Sequence, residues 1–281
     1  ESGDLFALDH QGKLLWKRQL TKEYGEFQGN HGLGSSLALA QAGLVLLIDH
    51  SGPSYLLCLD KASGKNRWKV DREARVSWSS PIVAGQGDEE EIVISSNGLV
   101  QAYRSSNGEM LWQLAGLDGN TVASPSVAGE LVIVGSSGAA WNVALKRGPK
   151  IEDRIAWKAE ATSSFGSPLV HRGKVYFVNR SGVATCVELA SGNTLWSQRL
   201  PGSCWASPIG AGDRVYFFTK DGVTLVVAAG NEPAQNNGEA GEAQVLAENS
   251  LPGEGIVYGV AAVPGAFVVR SGDRLIKVTG K

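Results

Sequence analysis

Apolar residues along this chain come in short runs separated by polar, glycine-bearing turns, and the arrangement returns about every forty residues. The stretch from Gly166 to Gln198 shows it plainly. Leu169-Val170 follows Gly166-Ser167-Pro168, and proline is tolerated at the first residue of a strand. Lys174-Val175-Tyr176-Phe177-Val178 is β-branched and aromatic, which predicts a second strand. Val183 to Leu189 alternates and predicts a third. Ala190-Ser191-Gly192-Asn193 reads as a tight hairpin turn, and Thr194 to Gln198 as the fourth strand. No helical period persists long enough for a strand–helix–strand unit.

Two marks fix the repeat. Gly12, Gly64, Gly108 and Gly192 each precede a tryptophan by four residues (Trp16, Trp68, Trp112, Trp196), and Trp157 stands at a fifth equivalent place with Asp153 in the glycine position. These tryptophans are 52, 44, 45 and 39 residues apart. Ser80-Pro81, Ser124-Pro125, Ser167-Pro168 and Ser207-Pro208 recur at 44, 43 and 40 residues. Four antiparallel strands in about 40 residues make one blade, so the chain is expected to be all-β, a β-propeller of four-stranded antiparallel blades.

Five copies are complete, at residues 33–70, 77–114, 122–159, 165–199 and 205–250. Residues 3–20 supply only the last two strands of a blade and 256–281 only the first three, so 1–281 is expected to be a single propeller domain forming the C-terminal part of a larger ring, with its natural closing strand upstream. Each glycine is expected to permit a positive φ at the hairpin, Asp9 and Asp60 to close it with Asx turns, and each tryptophan to slot against the next blade. The 205–250 copy lacks its tryptophan and carries a polar insertion, Gly230 to Gln244, expected to be a mobile loop.

Composition narrows the function classes. A net charge of −2 leaves no basic footprint for nucleic acid. The longest apolar stretch, Leu37 to Ile48, is too short to span a membrane. Cys58, Cys186 and Cys204 are widely spaced and form no CxxC or adjacent pair, so no zinc site is expected and they read as small core residues. The acidic run Asp88 to Glu91 and the basic run Lys146 to Lys150 both read as solvated.

Propellers bind at the axial funnel, in loops that enter the inner strands. Two residues before each serine of the Ser-Pro mark stand Trp78, Val122, Phe165 and Trp205. They are expected to ring one mouth of the channel, either packing it shut or offering ring faces to a ligand. His31 and Tyr24 precede the first full blade's inner strand and reach toward the same mouth; Arg75 and Asp118 are polar companions on the corresponding loops. The candidate binding residues are therefore Trp78, Phe165, Trp205, His31, Tyr24 and Arg75, with no catalytic or metal-ligating set.

The run Leu59-Asp60-Lys61-Ala62-Ser63-Gly64-Lys65-Asn66-Arg67-Trp68 resembles the tryptophan-docking motif of quinoprotein-like repeats, as do Ala7 to Trp16, Ala102 to Trp112 and Val187 to Trp196. The whole chain resembles the secreted bacterial PQQ-like β-propeller repeat proteins. That resemblance implies an eight-bladed parent lacking about one and a half blades here, and a periplasmic or cell-surface location. It also raises PQQ with calcium as a cofactor, but the adjacent cysteines and repeated acidic calcium ligands of the dehydrogenases are missing, so none is expected. The leading functional reading is a non-catalytic scaffold that engages a protein or glycan partner at the funnel or blade-top loops. The alternatives are a PQQ-dependent or other pore-site dehydrogenase, and an interaction domain of a larger surface assembly.

Overall fold

The computed structural model describes residues 2–29, 31–138, 141–230, 241–251 and 255–280. Asn30 and most of the Gly230–Gln244 insertion lie outside the described residues. The chain divides into two compact units, Glu1–Pro125 with Arg147–Glu152, and Ser126–Lys146 with Asp153–Lys281.

The first unit opens on a two-stranded sheet, β1 (Asp4–Leu8) and β2 (Leu14–Gln19), followed by a one-turn helix, α1 (Leu20–Tyr24). Then come two four-stranded antiparallel sheets. The first is β3 (Ala38–Leu39), β4 (Leu44–Ile48), β5 (Ser54–Leu59) and β6 (Asn66–Arg72); the second is β7 (Ile82–Ala84), β8 (Glu91–Ser96), β9 (Leu99–Arg104) and β10 (Met110–Ala115).

The second unit holds three four-stranded sheets: β11 (Ser126–Ala128), β12 (Leu131–Val134), β13 (Asn142–Lys146) and β14 (Ile155–Ala159); β15 (Leu169–His171), β16 (Lys174–Val178), β17 (Val183–Glu188) and β18 (Thr194–Arg199); β19 (Ile209–Ala211), β20 (Arg214–Phe218), β21 (Val223–Ala228) and β22 (Val245–Ser250). It closes on a three-stranded sheet, β23 (Val257–Val263), β24 (Ala266–Ser271) and β25 (Arg274–Thr279). The fold is an all-β propeller of five complete four-stranded blades and two partial ones. Helix α1 escapes a periodicity reading because five residues are too few to show a period.

Burial explains why the middle strands read as continuous apolar runs. Alternate residues of β4 and β5 point to opposite faces. Leu46, Ile48, Tyr55, Leu57 and Leu59 pack with Leu5 and Trp16 of the sheet before them. Val45, Leu47, Leu56 and Cys58 pack with Ile92, Ile94 and Tyr103 of the sheet after. A blade packed on both faces needs apolar residues at every position, so strict alternation is lost where burial is deepest. In the second unit the same sandwich recurs around Val175 and Phe177 on one face of β16 and Tyr176 and Val178 on the other.

The hairpins between third and fourth strands show what the glycine–tryptophan pairs do. The indole of Trp16 donates to the Lys61 carbonyl at 2.9 Å, that of Trp68 to Ser105 at 2.9 Å, and that of Trp157 to Leu189 at 2.8 Å. The glycines Gly64, Gly108 and Gly192 lie under these rings with φ between +68° and +77°. Beside each tryptophan the pairing slips register: between Ala7 and Leu8, Cys58 and Leu59, Ala144 and Leu145, and Cys186 and Val187. These bulges twist the outer strand locally. Asp9 accepts from the amides of Gln11 and Lys13, and Asp60 from those of Ala62 and Ser63, forming the Asx turns.

Two surface readings from the sequence are corrected in part: Asp88, Glu89, Lys146 and Lys150 are exposed as expected, but Glu90, Glu91 and the Arg147 side chain are not. Glu90 and Glu91 are buried, not solvated. The Glu91 carboxylate accepts from Arg147 Nε at 2.8 Å and from the Trp112 indole at 2.9 Å; Glu90 accepts from the Gln41 amide and the Ser105 hydroxyl. The acidic and basic runs meet because each buried charge needs a partner in a low-dielectric interior, and their sequence separation of more than fifty residues hides this. The three cysteines are buried and free.

Candidate functional site

The Ser-Pro mark builds the platform for the loops above it. The Ser80 hydroxyl accepts from the Ser36 amide at 2.9 Å, Ser124 from the Ser80 amide at 2.8 Å, and in the second unit Ser207 from the Ser167 amide at 2.9 Å. At these three junctions a serine at the inner-strand entry ties one blade's backbone to the next. A side-chain oxygen can replace the ladder partner that the amide lacks outside the strand. The sequence shows the repeat of these serines but not that they bond to one another.

In the first unit, Trp78 sits one blade beyond Gly34, and a Cβ on that glycine would stand 3.1 Å from the Trp78 ring. The indole donates to the Gly32 carbonyl at 3.2 Å, and its backbone amide donates to Thr121 at 2.8 Å. The His31 ring meets it edge-on at 5.8 Å. Two of the sequence candidates therefore come together.

In the second unit, Phe165 and Trp205 meet edge-on at 5.5 Å, and Trp205 continues to Tyr258 at 5.8 Å. The Arg270 guanidinium lies 5.5 Å from the Tyr258 ring centroid, an arrangement in which a cation is attracted to the ring face. The row is only partly covered: Trp205 is 36% and Tyr258 45% exposed. Sequence reasoning missed Tyr258 because its blade lacks the Ser-Pro mark that located the others. Its one signal was an aromatic at the start of the sixth inner strand.

Tyr24 and Arg75 do not join these clusters. The Tyr24 hydroxyl accepts from Arg18 at 2.9 Å and Asn66 at 2.7 Å, and its ring tilts against Tyr55 at 5.0 Å. It belongs to the flank of β6, because α1 turns the chain onto the outer strand before the inner strand begins. Arg75 bonds its neighbour Glu73.

Chemically, these clusters offer ring faces, edge hydrogens and one guanidinium. Among the described residues no three His, Cys, Asp or Glu side chains gather as a metal site. Deeper in the first unit lies a buried polar network. Arg72 is paired with Asp49 at 3.0 Å and donates to Tyr103 at 2.8 Å and Gln101, while Ser96 donates to Asp49. Burial opposes the Arg72 charge, but Asp49 and Tyr103 outweigh it and raise its pKa. This joins β6 to β8 and β9 and is a structural staple.

A family model described as the outer membrane protein assembly factor BamB matches residues 1–232. The outer membrane protein assembly factor BamB of Yersinia pestis is 27% identical over 235 residues, covering 76% of this chain and 58% of that protein. That of Moranella endobia (strain PCIT) is 29% identical over 167 residues, 56% of this chain and 41% of its own length. The chain thus spans about half the length of the curated relatives it matches. Among solved structures, BamB from Moraxella catarrhalis superposes with a TM-score of 0.55 at 16% identity, covering 99% of this chain and 88% of that one. Sqt1 of Saccharomyces cerevisiae gives 0.71 at 14% identity, covering 99% and 80%. These two likenesses concern the fold alone.

Proposed function

The chain belongs to the family of the outer membrane protein assembly factor BamB, and on that premise we propose that it is a non-catalytic, protein-binding propeller serving outer membrane protein assembly in the bacterial periplasm. The partner is a protein, engaged through the aromatic side chains at the inner-strand entries, and no cofactor takes part. The observation that supports this reading is the row Phe165–Trp205–Tyr258, with two rings more than a third exposed and Arg270 beside it. Exposed Trp and Tyr next to Arg are the residue types that dominate binding energy at protein interfaces.

The test is a titration of the purified chain with a urea-denatured outer-membrane β-barrel protein rapidly diluted into buffer, followed by calorimetry. Trp205→Ala and Tyr258→Ala are expected to weaken binding by about 30-fold each, the scale of a hot-spot residue, with unchanged melting. Equal affinity in the variants removes the row from the interface. Binding to glycans and not to proteins removes the protein reading.

A further inference from the structure

His50 stands two residues beyond the end of β4 and is 3% exposed. Its Nδ1 accepts two backbone N–H bonds, from Gln28 at 3.0 Å and from Gly52 at 3.0 Å. Gln28 belongs to the strap of residues 25–29 that follows α1; Gly52 belongs to the turn between β4 and β5. The strap and turn are further joined by Ser51, whose amide donates to the Gln28 carbonyl at 3.2 Å, and by the Phe27 ring, edge-on to His50 at 5.3 Å. Packing is close enough that a Cβ on Gly52 would stand 2.8 Å from the imidazole and 3.0 Å from the Gln28 side chain.

Two N–H donors aimed at one ring nitrogen require that nitrogen to carry a lone pair. The proton of the neutral ring therefore sits on Nε2, which is buried and has no hydrogen-bond partner among the described residues. A second proton must go to Nδ1. It would turn the acceptor into a donor facing two donors, and place a charge where burial disfavours it. Asp49 is the charged group whose field favours the imidazolium, but its carboxylate is already engaged by Arg72 and Ser96.

We propose that His50 is a pH-sensitive latch: the neutral ring clips the 25–29 strap to the turn between β4 and β5, and protonation releases both. The proposal rests on the hydrogen-bond geometry and is independent of the partner reading above.

The sign of the pH effect follows from burial. Burial holds the His50 pKa below its ordinary value, against the smaller opposing effects of the Pro53 backbone, the field of Asp49 and the Gln28 backbone. The unfolded or released chain then binds the proton more tightly than the latched one. The latch is fully engaged above about pH 6.5, the ordinary histidine value, and is lost as pH falls toward the lowered folded value.

The test is hydrogen exchange by NMR on the full chain, corrected for intrinsic exchange, from about pH 7.5 to about pH 5. Protection at the Gln28, Ser51 and Gly52 amides is expected to fall at least tenfold across that range, while amides of β16 hold theirs. In His50→Gln, whose amide oxygen accepts without titrating, the step is expected to vanish. The wild-type ring supplies a second readout should that variant not fold: the His50 Cε1 proton resonance is expected to titrate with the same midpoint as the amide loss. The proposal is overturned if protection does not change with pH, if the ring titrates while the amides stay protected, or if the step survives in His50→Gln.

Discussion

A Cβ placed on Gly108 would lie 2.8 Å from the Trp68 ring of the preceding blade. The glycine has two reasons to be there, because its φ of +77° also disfavours any side chain. Either reason alone would select it, and the ring contact ties the hairpin chemistry of one blade to the packing of the next.

Gly108→Ala is therefore expected to destabilise the chain by about 1–3 kcal/mol, the combined scale of a strained φ and an overpacked contact. Urea unfolding checks this. Gly12→Ala, at φ +81° with open space around it, is expected to cost less, since only the backbone term remains.

The two kinds of tryptophan separate by the same measurement. Trp196, 3% exposed and packed against Tyr176 and Phe217, is expected to cost about 3–5 kcal/mol when replaced by alanine. Trp205→Ala is expected to cost under about 1 kcal/mol, near the surface scale. A large loss at Trp205 would mark it as a packing residue.

The Asp49–Arg72 pair is buried on both sides, so removing one partner strands the other. Asp49→Ala is expected to cost about 3–5 kcal/mol. The double change Asp49→Ala with Arg72→Met is expected to cost less than the sum of the singles, which a double-mutant cycle reads directly.

The thiols are expected to be silent in the folded protein. Burial pushes Cys58 up to about 11 and Cys186 and Cys204 to about 12, so little thiolate exists even at mildly alkaline pH, and access is blocked as well. A chromogenic disulfide reagent should titrate none of the three in native buffer and all three in guanidinium. Reaction of any cysteine in native buffer would show that the segment carrying it opens.

What the repeat determined, it determined through local chemistry. The period, the Ser-Pro mark and the hairpin signature at residues 60–68 located blades because each records a turn or a strand end, and such features are set by neighbours in sequence. They also located Trp78, Phe165 and Trp205, which occupy one place in the repeat.

The tertiary structure decided everything that depends on partners far apart along the chain. It drew one residue from each of the acidic and basic runs, Glu91 and Arg147, out of the solvated face into a buried pair, because a charge's surroundings are not written in its neighbours. It moved Tyr24 from the inner-strand entry to the flank of β6, added Tyr258 to the aromatic row, and made of His50 an acceptor for two amides. Each of these outcomes is a meeting of groups from different blades or from loops outside the repeat. A period in the sequence fixes what recurs within a blade, and only packing fixes what one blade presents to the next.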